Sequence, residues 1–198
     1  DARYTAEAIQ YLKEVKIKRA VGKHKPYCLI LSLVNPHDVL AYPKSAATSG
    51  YHPDSWSGRE IELPVTVNEN LLENKKPMAQ EQILINMALS LGAVATSEEK
   101  LNYINFYGNL LSHVDKEIGY LIEELYKEDE HGNKLVDTAI VTLTSDHGEM
   151  GLAHGGLRQK TFVAYEEALR VPLVISNPIL FKDHQIKQSM ALATLVDI

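Results

Sequence analysis

The chain has a single cysteine, no apolar run of membrane length and no excess of positive charge, and each absence excludes a class of protein. With Cys28 as the only cysteine among 198 residues, no disulfide can form within the chain. Cys28 lies inside an apolar run, which favours a packed strand residue over a reactive thiol. No apolar run is long enough to cross a membrane, and no signal-peptide pattern is present.

The balance of charge restricts the partners of the chain. Twenty lysines and arginines stand against 26 aspartates and glutamates, so the formal net charge is −6. This value argues against nucleic acid and against an anionic membrane as the main partner. An anionic substrate is still possible, because a few local cations can dominate one pocket. The apolar fraction of 45% is that of a folded globular protein, and the length fits one domain or a large piece of one.

Three short apolar runs, rich in β-branched residues, predict strands. They cover residues 27–34, 138–144 and 171–176, and each is followed by a polar break. Runs of this kind are typical of strands buried on both faces of a parallel sheet. Together with the helices between them, they predict an α/β fold, specifically an α/β/α sandwich with a mostly parallel sheet.

Helical periodicity appears in three places. Thr5 is the predicted N-cap of a helix that ends near residue 20, and a second helix is predicted over residues 80–93. The third begins at a capping box formed by Thr96 and Glu99. The segment from 42 to 78 is rich in proline, glycine and charge, and irregular segments of that length are usually functional or mobile.

Asp146 and His147 come directly after the second predicted strand. Ligands of open α/β sheets gather at the carboxyl ends of such strands. A carboxylate with an imidazole can hold Ca²⁺, Mg²⁺, Mn²⁺ or Zn²⁺. Two ligands are too few for any of these ions, so the others must come from elsewhere. A structural turn at the end of a strand is the alternative interpretation.

Three further side chains are candidates for binding an anion. His37 follows the first predicted strand, either as a hydrogen-bonded loop residue or as a donor and general acid. His154 and Lys160 follow the turn that carries Asp146 and His147, called the metal turn below. A basic side chain at this place can bind an oxyanion. By itself, the sequence around Arg158 and Lys160 predicts that both are solvated charged residues on the surface.

Several short motifs follow one another along the chain in an order that is typical of a known family. They are Thr144-Ser145-Asp146-His147-Gly148-Glu149-Met150, Ala153-His154-Gly155, Gln159-Lys160, Tyr165-Glu166-Glu167 and Arg170-Val171-Pro172-Leu173, preceded by Asn35-Pro36-His37. As a set they strongly resemble the sulfatase family of the alkaline-phosphatase-like superfamily. The resemblance covers most of the chain and implies that residues 1–198 are a partial sulfatase catalytic domain.

The resemblance implies roles residue by residue. Asp146 and His147 would be metal ligands, with Ca²⁺ the expected ion and Mg²⁺ or Mn²⁺ as alternatives. His37 and Lys160 would be catalytic residues that bind the sulfate oxygens or the leaving-group oxygen. His154 would also bind substrate. The spacing from His154 to Lys160 is one residue longer than in the commonest form of the family.

One hallmark of the family has no counterpart in these residues. Sulfatases make a formylglycine from Cys or Ser in Cys/Ser-x-Pro-x-Arg, whereas Cys28 is followed by Leu-Ile-Leu. The resemblance therefore implies that the nucleophile and half of the metal ligands lie in a missing N-terminal part of the same polypeptide. The way the chain opens in a helix and ends without a closing loop agrees with an excerpt.

The expected function is metal-dependent hydrolysis of a small-molecule or carbohydrate sulfate ester, with the 198-residue piece itself inactive. Two alternatives stay open: a phosphonate or phosphodiester hydrolase or phosphoglycerol transferase of the same superfamily, and a non-catalytic structural or binding module. Substrate contacts are predicted from Tyr51, Trp56 and Arg59 in the irregular segment, with a plain surface loop as the alternative.

Overall fold

The computed structural model describes residues 1–23, 25–182 and 186–197. The longer elements are α1 (Ala2–Ala20), α2 (Met78–Leu91), α3 (Ser97–Tyr126), β1 (Val141–Thr144) and β2 (Leu173–Ser176). Single turns of α-helix occur at Ala153–Gly156 and Glu166–Leu169, and 3-10 turns at His37–Ala41, Ala47–Ser49, Pro53–Trp56, Val136–Thr138 and Leu195–Asp197. In this part of the chain, no helix is both long enough and apolar enough to span a bilayer.

Helix α3 begins at the capping box that the sequence predicts. The Thr96 hydroxyl accepts a hydrogen bond from the Glu99 amide at 3.1 Å, and the Glu99 carboxylate accepts one from the Thr96 amide at 2.9 Å. Two of the amides that a helix N-terminus leaves without partners are satisfied in this way. The backbone donors lower the pKa of Glu99. The predicted capping box is confirmed.

The main hydrophobic core forms around one face of α3. Tyr103 and Phe106 are fully buried there against Val39, Tyr42 and Leu152. These partners come from the segments before and after the helix, so α3 fixes the position of the irregular segment and of the loop after β1.

Helix α1 packs on the C-terminal half of α3 and carries a buried ion pair. The Lys16 ammonium lies 2.5 Å from the Glu124 carboxylate, and the two side chains are 12% and 3% exposed. The helix begins one turn earlier than predicted, because Asp1 and not Thr5 is its N-cap. The Asp1 carboxylate instead accepts hydrogen bonds from the amides of Val34 and Asn35.

Strands β1 and β2 pair antiparallel, with Val141 opposite Ser176 and Thr144 opposite Leu173. The described residues form no other sheet, so the predicted mostly parallel sheet is not confirmed. An apolar β-branched run indicates a strand but does not indicate the direction of its partner. The prediction that these strands are buried is wrong for the described structure, because all of β2 is exposed.

The first predicted strand, at residues 27–34, is not part of a sheet. Its backbone has no strand pairing in the described structure, and Ile30 is 86% exposed. Cys28 is exposed as well, which corrects the prediction of a packed position. The run has the composition of a strand but no neighbouring strand among the described residues with which to form a ladder.

Candidate functional site

Asp146 and His147 lie in a turn directly after β1, and the turn is held by its own hydrogen bonds. The Ser145 hydroxyl donates to the His147 carbonyl at 2.7 Å, and the His147 amide donates to Asp146 Oδ1 at 2.9 Å. The side chains of Asp146 and His147 are 81% and 47% exposed. Both side chains are therefore accessible to solvent, at the strand end where the sequence placed them.

The His147 imidazole and the Asp146 carboxylate lie close together. His147 Nδ1 lies 2.8 Å from the Gly148 carbonyl, and a proton on Nδ1 would leave the Nε2 lone pair free. His147 Nε2 is 3.5 Å from Asp146 Oδ2. Ligands at right angles on an ion with bonds of 2.1–2.4 Å are separated by about 3 Å. The observed separation of 3.5 Å is slightly longer than this value, and a role of the pair as metal ligands stays a prediction.

Gly148 lets the turn approach the short helix Glu166–Leu169 closely. Its amide donates to the Ala168 carbonyl at 2.9 Å. A Cβ at this position would lie 1.9 Å from the Glu167 carbonyl oxygen, which leaves no room for a side chain. Glycine is needed here for close backbone contact, and this contact places Glu167 beside the metal turn.

Lys160 lies beside the same loop and is not a solvated surface charge. Its ammonium is 2.8 Å from Glu149 Oε2, and the two side chains are 14% and 7% exposed. Glu149 Oε1 accepts hydrogen bonds from the Tyr103 hydroxyl at 3.2 Å and from the Gly151 amide at 3.3 Å. The loop that carries Asp146 therefore also anchors the predicted sulfate-binding cation.

Arg158 is buried nearby, contrary to the expectation of a surface charge. It is 3% exposed and donates to the carbonyls of Tyr42 and Gly92 at 3.3 and 2.8 Å. Its guanidinium lies 6.0 Å from the centroid of the Tyr103 ring. Burial lowers the pKa of Arg158, and burial with the nearby Glu149 charge raises the pKa of Tyr103 well above its usual value.

His154 lies between two carboxylates. Its Nδ1 is 2.6 Å from Glu69 Oε2, and its Nε2 is 3.4 Å from Glu167 Oε2. Its ring stacks on Tyr165 with centroids 3.7 Å apart. Both ring nitrogens thus already face protein carboxylates, and a substrate contact through Nε2 requires Glu167 to move away.

Glu69 is the acidic centre of this cluster. It accepts hydrogen bonds from Asn74 at 2.9 Å and from His154, and the Lys76 ammonium lies 3.4 Å away. These donors, with Asn74 contributing most, lower the pKa of Glu69 to about 2. The cluster ties the irregular segment to the loop after β1.

His37 begins a 3-10 turn, and its side chain is 62% exposed. Its Nδ1 lies 3.8 Å from Asp38 Oδ1, and the other Asp38 oxygen accepts from the Tyr51 hydroxyl at 2.7 Å. Among the described residues, no hydrogen bond or ion pair joins His37 to Lys160 or to the metal turn. The structure brings Lys160 to the loop of Asp146 and His147 but leaves His37 without a direct contact to them.

The described part of the chain contains no group of three or more His, Cys, Asp or Glu side chains arranged to hold a metal ion. The prediction that Asp146 and His147 are two ligands of a metal ion stays a prediction. Any further protein ligand to the same ion would have to come from other residues.

The residues predicted to contact substrate in the irregular segment pack against α3, and their contact with a substrate stays a prediction. Tyr51 and Trp56 pack edge-on against Phe106, with centroids 4.8 and 5.9 Å away. Arg59 donates to the Asn109 side chain at 2.6 Å. Burial of these aromatic side chains against α3 lowers the free energy of the folded chain relative to leaving them exposed to water.

Three acidic residues of the site were given no role from the sequence: Glu149, Glu69 and Glu167, of which Glu149 and Glu167 stand in the quoted motifs. Glu149 is part of the quoted motif, so an acidic partner for Lys160 in the same loop was open to inference. Glu69 lies 85 residues before His154, and no sequence pattern predicts their contact.

Sequence comparison places the whole chain in one family. The family model described as Sulfatase matches residues 1–198. Arylsulfatase K from Gallus gallus is 26% identical over 208 residues, covering 100% of this chain and 35% of that protein. Arylsulfatase K from Mus musculus is 26% identical over 208 residues, covering 100% of this chain and 33% of that protein. The chain thus spans about a third of the length of these curated relatives.

Two solved structures resemble the fold. A protein from Bacteroides thetaiotaomicron VPI-5482, assigned as a sulfatase, has a TM-score of 0.68 at 23% identity, covering 88% of this chain and 35% of that one. A 2-O GAG sulfatase has a TM-score of 0.62 at 20% identity, covering 88% of this chain and 34% of that one. These likenesses agree with an incomplete sulfatase fold, while the predicted α/β/α sandwich with a mostly parallel sheet is not confirmed.

Proposed function

The chain belongs to the sulfatase family, and we propose that the protein in which it occurs hydrolyses sulfate esters. The observation that carries the proposal is the ion pair between Lys160 and Glu149, at 2.8 Å. The ion pair holds the Lys160 ammonium against the loop that carries Asp146 and His147. A site that transfers a sulfuryl group needs positive charge where the anion binds. This loop would bring two sources of that charge together, the Lys160 ammonium and a cation held by Asp146 and His147.

Asp146 Oδ2 and His147 Nε2 would hold a divalent cation. A carboxylate ligand favours Ca²⁺, with Mg²⁺ or Mn²⁺ as alternatives. Such an ion, when bound, offsets the negative charge that develops on the transferred group. Its remaining ligands, and the formylglycine nucleophile of the family, would come from polypeptide outside residues 1–198.

Lys160, His37 and His154 would bind the anionic substrate. The Lys160 ammonium has three donors, and the contact with Glu149 leaves two for sulfate oxygens. His37 is exposed and would donate a proton to the leaving-group oxygen. At His154 the substrate would replace Glu167 at Nε2, while Glu69 keeps Nδ1.

The substrate class is a small-molecule or carbohydrate sulfate ester. The names of the relatives support this breadth, because they include an arylsulfatase and a 2-O GAG sulfatase. The 198-residue piece alone is expected to be inactive, because its sequence has no Cys/Ser-x-Pro-x-Arg and the turn of Asp146 and His147 would supply only two metal ligands.

The test uses the full-length polypeptide that carries this sequence. Asp146→Ala and His147→Ala should each abolish metal-dependent hydrolysis of an aryl sulfate. Glu130→Ala and His131→Ala are the matched controls, since they also remove a carboxylate and an imidazole, but from an exposed turn after α3. Full activity in either site variant would exclude its role as a ligand.

The same assay separates the alternatives. Hydrolysis of a phosphodiester or phosphonate in preference to the sulfate would place the protein with the neighbouring hydrolases of the superfamily. No turnover of any ester by the full-length protein, with metal supplied, would favour a non-catalytic module.

A further inference from the structure

We infer that Glu149 is a positioning residue, which fixes the Lys160 ammonium for binding of the sulfate group; the inference rests on the proposed function. Glu149 lies three positions after Asp146, at the inner end of the same loop. Its side chain is 7% exposed, and its two oxygens have separate partners. One oxygen faces Lys160, and the other faces the protein core.

The core-facing oxygen makes the carboxylate rigid. Glu149 Oε1 accepts from the hydroxyl of Tyr103, which is 0% exposed in α3, and from the amide of Gly151. A carboxylate held by a buried side chain and a backbone amide has little freedom to turn. Lys160 is thereby anchored through Glu149 to the longest helix of the structure.

The ion pair removes freedom that would otherwise weaken anion binding. A lysine side chain has a flexible four-carbon stem, and ordering it opposes binding. Since Glu149 already holds the ammonium at 2.8 Å, this ordering is complete before the substrate arrives. Removing the carboxylate charge should therefore weaken substrate binding through Lys160, even though Glu149 itself does not touch the substrate.

A second buried ion pair provides the control. Lys16 and Glu124 join α1 to α3 and are as well buried as the Lys160–Glu149 pair. Among the described residues, no hydrogen bond or ion pair joins Lys16 or Glu124 to the loop after β1. Glu124→Gln should lower stability but leave KM and kcat of the full-length enzyme within about twofold of wild type.

The test is a double-mutant cycle in the full-length enzyme, with steady-state kinetics on an aryl sulfate. Glu149→Gln keeps the side-chain shape and removes the charge, and it should raise KM by about tenfold or more. Glu149→Asp keeps the charge and should recover part of the loss. In a Lys160→Met background, Glu149→Gln should change the kinetics by less than about twofold, because the residue through which it acts is gone.

Each outcome has one meaning. If Lys160→Met leaves the kinetics unchanged, the proposed role of Lys160 fails, and the inference fails with it. If Lys160→Met impairs turnover but Glu149→Gln has no effect, or has its full effect in both backgrounds, only the positioning role is overturned. If Glu149→Gln does not fold, Tyr103→Phe takes its place, since it removes the donor that holds the other oxygen; an unchanged KM in that variant overturns the inference.

Discussion

Replacing Gly148 by alanine tests whether the metal turn is locked against the short helix Glu166–Leu169. An added Cβ would lie 1.9 Å from the Glu167 carbonyl oxygen and 2.9 Å from the Glu167 carbonyl carbon. Both are backbone atoms, so no side-chain rotation relieves the clash. Because a carbon–oxygen contact needs about 3.3 Å, the two segments must separate by more than about 1 Å.

The magnitude follows from two losses. Overpacking with backbone displacement costs about 1–3 kcal/mol, and the hydrogen bond from the Gly148 amide to Ala168 contributes about 1 kcal/mol more. We therefore expect Gly148→Ala to lower the free energy of unfolding by about 2–4 kcal/mol. The shift also moves Glu167 from its position 3.4 Å from His154.

Gly119 provides the matched control, because it lies inside α3 and a methyl group added there would have no neighbouring atom within 4 Å. Gly119→Ala should raise the free energy of unfolding by about 0.5–1 kcal/mol, since alanine loses less backbone entropy in a helix. Urea denaturation of the full-length protein measures both changes. A Gly148→Ala variant within about 0.5 kcal/mol of wild type would refute the close packing of the turn.

Two further predictions concern Thr96 and Glu69. Thr96→Ala should lower the free energy of unfolding by about 1 kcal/mol in thermal melts, because it removes the acceptor for the Glu99 amide; no change would contradict the capping box. Glu69 has a folded pKa of about 2, against 4.5 when unperturbed, so its contribution to stability is present above pH 4.5 and is lost as the pH falls towards 2. Carbon NMR of the Glu69 carboxyl group checks this, and a midpoint near 4.5 would contradict the contacts with Asn74 and His154.

The parts of the fold that the sequence predicted are those with local causes. The capping box spans the four residues from Thr96 to Glu99 and sets the start of α3 without help from distant residues. The positions of β1 and β2 were also predicted, because their apolar runs are continuous. Their antiparallel pairing was not, since it depends on two segments about thirty residues apart whose composition is the same in either direction.

The burial of the charged residues could not be predicted from the sequence, because it depends on partners that are distant along the chain. Arg158 was expected in solvent, yet it donates to the carbonyl of Tyr42, which lies 116 residues earlier. Burial of a guanidinium requires acceptors of this kind, and no local pattern supplies them. The same holds for His154, whose partner Glu69 comes from a segment that the sequence shows only as irregular.

The charged side chains of the loop after β1 differ in whether they have partners within the chain. On its inner side every charge has a partner within the chain, from Lys160 and Glu149 to the buried Tyr103 hydroxyl. On its outer side Asp146 is 81% exposed and shares its position with a single imidazole. A cation with six or more ligands would find two of them here. The proposed metal site would therefore need further ligands from other polypeptide, and the binding of an ion tests this. Added Ca²⁺ should bind the full-length protein at least ten times more tightly than the 198-residue chain, as titration calorimetry would measure; equal affinity would contradict this division of the site.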